Sequence, residues 1–136
     1  MADKSRWTVA TAPDHGDNEK AVKAALAAQG SDLRSGTETA VTQMGALTDL
    51  VANRARYADL VVLPKPYANT SGPEAEAVIE ASMFEGMAPV LVVPDKGLAT
   101  AEPKRVVLAW NQSREALVAA RRALPFLKRA EIVTIT

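Results

Sequence analysis

The sequence predicts an α/β fold: a doubly wound, mostly parallel five-stranded sheet with helices on both faces. Three observations lead there. Residues 60–63, 90–93 and 106–110 are apolar on consecutive positions, the pattern of strands buried on both faces. Each run closes on a breaker or a polar loop, and segments of helical periodicity lie before, between and after them. Strand and helix in alternation imply right-handed crossovers, and hence a parallel sheet between two helical layers.

The elements follow in chain order. Trp7 to Ala12 reads as extended from its alternation and β-branched content. Residues 19–29 read as a short helix with Val22, Ala25 and Leu26 turned inward and Gly30 at its end. An extended stretch is expected at Thr37 to Gln43, then a helix over 45–56 with Leu47, Leu50, Val51 and Arg54 on one face. The strand Leu60 to Leu63 stops at Pro64, Lys65 and Pro66. A helix over 73–85 opens on Ser71 and Glu74, spaced as a capping box, with Pro73 in the first turn and Gly86 as its stop. The strand Val90 to Val93 stops at Pro94, and the strand Val106 to Trp110 runs into Asn111, Gln112 and Ser113. A helix over roughly 114–129 sets Leu117, Ala120, Leu124 and Leu127 opposite Arg121, Arg122 and Lys128, with Pro125 expected to kink it or end it early. Ile132 to Ile135 closes the series as an extended segment.

The 136 residues suit a single domain over 1–136, and an apolar share of 48% with 24% charged residues is ordinary for a chain that folds. Sixteen basic residues balance sixteen acidic ones, so no net charge draws the chain to nucleic acid or to an anionic membrane. The absence of cysteine excludes disulfides, thiolate metal sites and thiol nucleophiles, and fits a reducing cytoplasm. The amino terminus has no apolar stretch of signal-peptide length, and no run approaches the roughly 18 apolar residues of a membrane span. A cytoplasmic protein is expected.

Residues 56–63, 88–94 and 104–116 carry a family likeness. The run Arg56 to Leu63 resembles the fourth strand of the universal stress protein family, Ala88 to Pro94 its fifth, and Lys104 to Ala116 its first strand with the start of its first helix. The resemblance implies five parallel strands with four intervening helices. Residues 1–94 then look like the second to fifth strands of one repeat. Residues 104–136 look like the first strand, first helix and second strand of the next, as in bacterial tandem members. Two closures fit this order: a tandem protein cut across two repeats, or one domain completed by a permuted connection. The linker from Pro94 to Lys104 spans at most about 35 Å, enough to return along a strand or to carry the last strands into a neighbouring molecule as a strand-exchanged dimer. In either case Trp7 to Ala12 and Ile132 to Ile135 compete for one second-strand position.

The resemblance also implies where a nucleotide would sit. Nucleotide-binding members use G-x2-G-x9-G-[ST] after the fourth strand, where glycines let backbone amides reach phosphates. The corresponding positions here are Pro64, Tyr67, Ala77 and Val78, and alignment back from the fifth strand gives Glu76 and Ala77. The cradle is missing, Pro64 removes a donor, and Lys65 alone reads as a solvated loop charge. The cofactor-binding candidates are therefore Asn111, Gln112 and Ser113, beyond the carboxyl end of a strand. Asn111 stands where the family has an acid that contacts the nucleotide, Gln112 where it has glycine, and Ser113 matches. Ser113 also fits the cap of the helix that begins at Arg114, and Trp110 fits a core or interface position.

Other chemistry has little support. His15 is the single histidine and lacks the convergent ligands of a metal site. No G-x-S-x-G elbow activates Ser113, and Asp59 lies at the wrong end of its strand for a phosphate-accepting receiver domain. Charge is uneven: residues 71–86 hold Glu74, Glu76, Glu80 and Glu85 with no base, and residues 104–129 hold seven bases against Glu115. Such patches are solvated faces or surfaces that orient association between chains. The expectation is a non-catalytic stress-response protein that acts as a homodimer, with a degenerate nucleotide site and no required cofactor. An adenine nucleotide bound by the loop after 106–110 makes it a sensor of ATP or AMP instead, and weak hydrolysis of a nucleotide or ester ranks last.

Overall fold

The computed structural model describes residues 7–9, 20, 23–24, 27–28, 36, 38, 40, 42–66, 73–94 and 103–136. Helices and parallel strands alternate along it, and the chain divides into two compact units, Met1–Asp95 and Lys96–Thr136. No described helix is long and apolar enough to cross a membrane.

The first unit is built on a three-stranded sheet of order β1-β2-β3, with β1 at Trp7–Val9, β2 at Leu60–Pro64 and β3 at Val90–Val93. All pairings are parallel: Trp7 faces Leu60 on one side of β2, and Val61 faces Val90 on the other. β2 is hydrogen-bonded along both edges, and its apolar run is buried under the residues packed on it, with Val61 and Leu63 each only 3% exposed. Complete burial of a side chain of this size contributes about 1.5–3 kcal/mol. β3 is half-buried and Val92 is open, so burial on both faces holds for Leu60–Leu63 and not for Val90–Val93.

Helix α1, Met44–Ala55, delivers the chain to β2 through a short turn in which Arg56 N–H donates to Ala52 O at 3.0 Å and Ala58 N–H to Ala55 O at 2.9 Å. Its most buried residues are Ala52 and Ala55, whereas Leu47, Leu50 and Val51 are half-buried and Arg54 is exposed, paired with Glu38. The expected face is thus rotated toward alanines, which admit a closer approach than leucines. Ala55, Ala58, Val61, Leu63 and Ala88 form the core, with Val78, Ile79 and Val90 packed against it.

Helix α2, Pro73–Glu80, passes into a π-helical turn, Ala81–Glu85, closed by Gly86 N–H donating to Ala81 O at 2.8 Å. Ser82 is fully buried in that turn; its hydroxyl donates to Val78 O at 2.7 Å and its carbonyl accepts from Ala88 N–H at 3.1 Å. A serine that bonds back four residues bends a helix while satisfying its own buried oxygen. Gly86 ends the element, but by closeness rather than by handedness. Its φ is −75°, and a Cβ there would lie 2.6 Å from Ala55 Cβ and 2.8 Å from Ser82 O. The left-handed backbone falls one residue later, on Met87 at φ 54°.

The second unit is a β-α-β crossover: β4 at Arg105–Leu108, α3 at Arg114–Leu127 and β5 at Ile132–Ile135, with β4 and β5 parallel and Arg105 facing Ile132. Lys104 Nζ meets Glu131 Oε1 at 3.0 Å where the strands begin, and Trp110 N–H donates to Thr136 O at 2.8 Å where they end. Pro125 lies in the last turn of α3, which stops two residues later at Leu127 rather than at 129. No residue of α3 is buried, and Val107 and Ile132 are 69% and 52% exposed. The consecutive apolar residues of β4 and β5 therefore lack the two-sided cover that their pattern anticipates.

Several expectations change. Among the described residues the five strands pair as one set of three and one set of two. Trp7–Val9 and Ile132–Ile135 do not compete for one position, because each pairs in a different sheet with a different partner. Glu38, Ala40, Thr42 and Gln43 lie in irregular backbone instead of the strand expected at 37–43; a lone polar stretch with no described partner strand gains nothing by extending. Lys20, Lys23, Ala24, Ala27 and Ala28 are helical. The capping box at Ser71, the loop at His15 and Tyr67 lie outside the described residues.

The junction at Gly86 is testable. Gly86→Ala is expected to lower stability by about 1–3 kcal/mol, the range for forcing a methyl into filled space, read as a fall in the urea unfolding midpoint. An unchanged midpoint would mean that α1 and the π-turn separate at no cost.

Candidate functional site

The three residues singled out after β4 are brought together in one tight turn. Chain direction reverses between the end of β4 and the start of α3 within five residues, Ala109 to Ser113, and side-chain oxygens supply the hydrogen bonds that regular structure cannot. Asn111 Oδ1 accepts Ser113 N–H at 3.1 Å, an Asx turn. Ser113, extended at φ −79° and ψ 163°, is the N-cap of α3: its Oγ accepts Ala116 N–H at 3.0 Å. Between them Gln112 stands at φ 63°, in the left-handed region that favours glycine.

This arrangement limits the chemistry available. Asn111 and Gln112 are exposed, but the acceptor oxygens of Asn111 and Ser113 are already engaged by backbone amides of their own turn. An amide at position 111 also lacks the charge with which a carboxylate would hold a ribose hydroxyl. Trp110 is 37% exposed, and its backbone N–H donates to Thr136 O. The bond that Ser113 Oγ accepts from Ala116 gives the hydroxyl a capping role.

The phosphate pattern fares no better in space. Pro64 is the last residue of β2, and Ala77 and Val78 lie inside α2, where their amides belong to the helical ladder. Among the described residues no group of three or more His, Cys, Asp or Glu could hold a metal ion.

A second concavity was not anticipated. An open cleft of about 430 Å³ lies at the carboxyl ends of β2 and β3, lined by Lys65, Pro66, Ile79, Val92 and Pro94. Lys65 alone stands out on a solvated-loop reading, which hides this cleft. The available signal was the pair of adjacent strands both closed by proline, at Pro64 and Pro94, next to an outward valine.

Two substitutions test the turn. Ser113→Ala should cost α3 about 0.5–2 kcal/mol and speed hydrogen exchange at the Ala116 amide, with little change in β2. Gln112→Val should destabilise the second unit by about 1–2 kcal/mol while Gln112→Gly leaves it as stable or more so, since only the glycine accepts positive φ without strain. Equal stabilities for the two would contradict the left-handed backbone. No protein-family model matches the chain and no curated protein does, so the turn is interpreted on its own geometry.

Proposed function

We propose that the chain is a non-catalytic stress-response module of the universal stress type, acting through dimerisation, with a nucleotide site that has degenerated. The observation that carries this is the turn at 111–113: an amide replaces an acid, the glycine is replaced, and both acceptor oxygens are turned onto their own backbone. The absence of the glycine pattern from the residues after β2 supports the same reading. In this reading β4, α3 and β5 open a doubly wound five-stranded sheet. Val107, Ile132 and Ile135, all exposed, are covered when strands of a second copy join it. The acidic stretch at 71–86 and the basic one at 104–129 orient that association.

One observation favours adenine-nucleotide sensing as the second reading. Gln112 holds the positive φ that a glycine would take, so the path of the turn is preserved even though its side chains have changed. Thermal-shift titration with ATP and AMP separates the two, and a saturable stabilisation supports the sensor.

The leading proposal predicts no stoichiometric adenine nucleotide in a denatured extract of the purified protein, read by mass spectrometry. It also predicts twice the chain mass by light scattering. Stoichiometric ATP would overturn the degenerate site, and a strict monomer would overturn the dimer.

A further inference from the structure

We infer that the corner where α1 meets the π-turn is a self-complementary surface through which two copies of the chain associate about a two-fold axis. The inference concerns the first unit alone and is independent of how the exposed strands of the second unit are covered. Two segments meet at this corner. Gly86 lies so close to α1 that a Cβ on it would stand 2.6 Å from Ala55 Cβ, which brings the backbone at Tyr57, two residues beyond Ala55, near that of Phe84 and Met87. The side chains of Tyr57, Phe84 and Met87 are 73%, 65% and 74% exposed. At about 150–250 Å² per aromatic side chain, the two rings alone leave about 200–350 Å² open to water, and Met87 adds to it; contiguous apolar patches of about this size mark interaction sites.

Backbone and charge point to a second copy as the occupant. Met87 stands at φ 54°, a conformation that glycine adopts without strain and methionine does not, and strain of this kind collects at functional positions. Here it presents a long, adaptable apolar side chain to solvent. The flanking charges have opposite signs: Arg56 adjoins Tyr57 on one segment and Glu85 adjoins Phe84 on the other. Both are exposed, and among the described residues neither has an ion-pair partner. A two-fold axis through the apolar centre exchanges the two segments, so each Arg56 meets Glu85 of the other copy while the rings and Met87 cover one another. A surface for a foreign partner has no need of both signs. Equal numbers of acidic and basic residues leave no net charge with which the copies would repel. The corner lies at the amino ends of β2 and β3, the opposite end from the one where the chain leaves them. Contact areas of this size give weak, reversible association.

The test is sedimentation velocity on the full chain over a concentration series, with urea unfolding at low concentration to establish that each variant is folded. The weight-average mass of the wild type should climb with concentration toward twice the chain mass. Phe84→Ser should weaken association by about tenfold or more, since symmetry removes the ring twice, and leave the urea midpoint unchanged because the ring is exposed. Met87→Gly should keep or raise the urea midpoint while weakening association, a pairing of effects that a purely structural side chain would not give. Arg56→Glu and Glu85→Arg should each self-associate about 2- to 30-fold more weakly, two exposed ion pairs being lost by symmetry. An equimolar mixture of those two variants should recover the association of the wild type, which a pair within one chain would not do. The inference is overturned if the wild type stays a monomer at every concentration, which leaves the corner to a foreign partner or to water. It is equally overturned if Phe84→Ser associates as the wild type does, or if the mixed charge variants do no better than either alone. Association lost on Val107→Glu and kept on Phe84→Ser would support the strand-joined dimer and overturn this one.

Discussion

Leu60–Pro64 receives hydrogen bonds along both of its edges, and most of the first unit depends on that. Pairing on both edges satisfies its backbone, and Val61 and Leu63 are buried because Ala55, Ala58, Val78 and Ile79 pack over them, which requires the flanking elements to come close. They do so with small residues. Ala55 ends α1 and Ala58 opens the turn into β2, while Ala81 and Ala88 bracket the π-turn that feeds β3. Gly86 is the limit of that series, since even a methyl would overlap Ala55 and the Ser82 carbonyl. The π-turn supplies the extra residue needed to reach β3. The buried Ser82 hydroxyl returns to the Val78 carbonyl, and among the described residues no buried side-chain polar atom lacks a partner.

The second unit shows what the same grammar gives without a central strand. β4 and β5 each have one partner, and two strands with one helix offer too little surface to enclose a core. Three of the four residues in each are apolar, yet no residue from Arg105 to Thr136 is buried. Burial therefore follows from what covers the faces of a strand, and an apolar run states only that cover is wanted.

That difference explains which parts of the fold were legible. Leu60, Val61 and Val90 announce strands by consecutive branched residues, and Ser113 announces a helix start by a hydroxyl three residues before a free amide; both are local signals. Pairing is not local. Parallel strands are joined by crossovers of a dozen or more residues, so nothing near Trp7 indicates that it lies beside Leu60 or that Ile132 lies beside Arg105. The orientation of α1 was misjudged for a related reason: hydropathy ranks Leu50 above Ala52, whereas close packing ranks them the other way. At the turn after β4 the residue types were enough to suggest a cap. They could not show that Asn111 folds back on Ser113, because glutamine at 112 gives no notice of positive φ.

Backbone amides tie the two concavities together. A site for phosphate is chiefly a set of N–H groups with nothing else to do, and both strand ends here have disposed of theirs by different means. After β4 the Ser113 and Ala116 amides are taken by the side chains of Asn111 and Ser113. Among the described residues after β2 and β3, Pro64, Pro66 and Pro94 have no N–H and the Lys65 N–H is taken by Val93 O. The first route leaves a polar turn that is already satisfied, with little gain to offer a ligand. The second leaves carbon surface that water wets poorly, beside a lysine. Among the described residues, the turn after β4 spends its amides on its own side chains, whereas the proline-closed end presents mostly carbon.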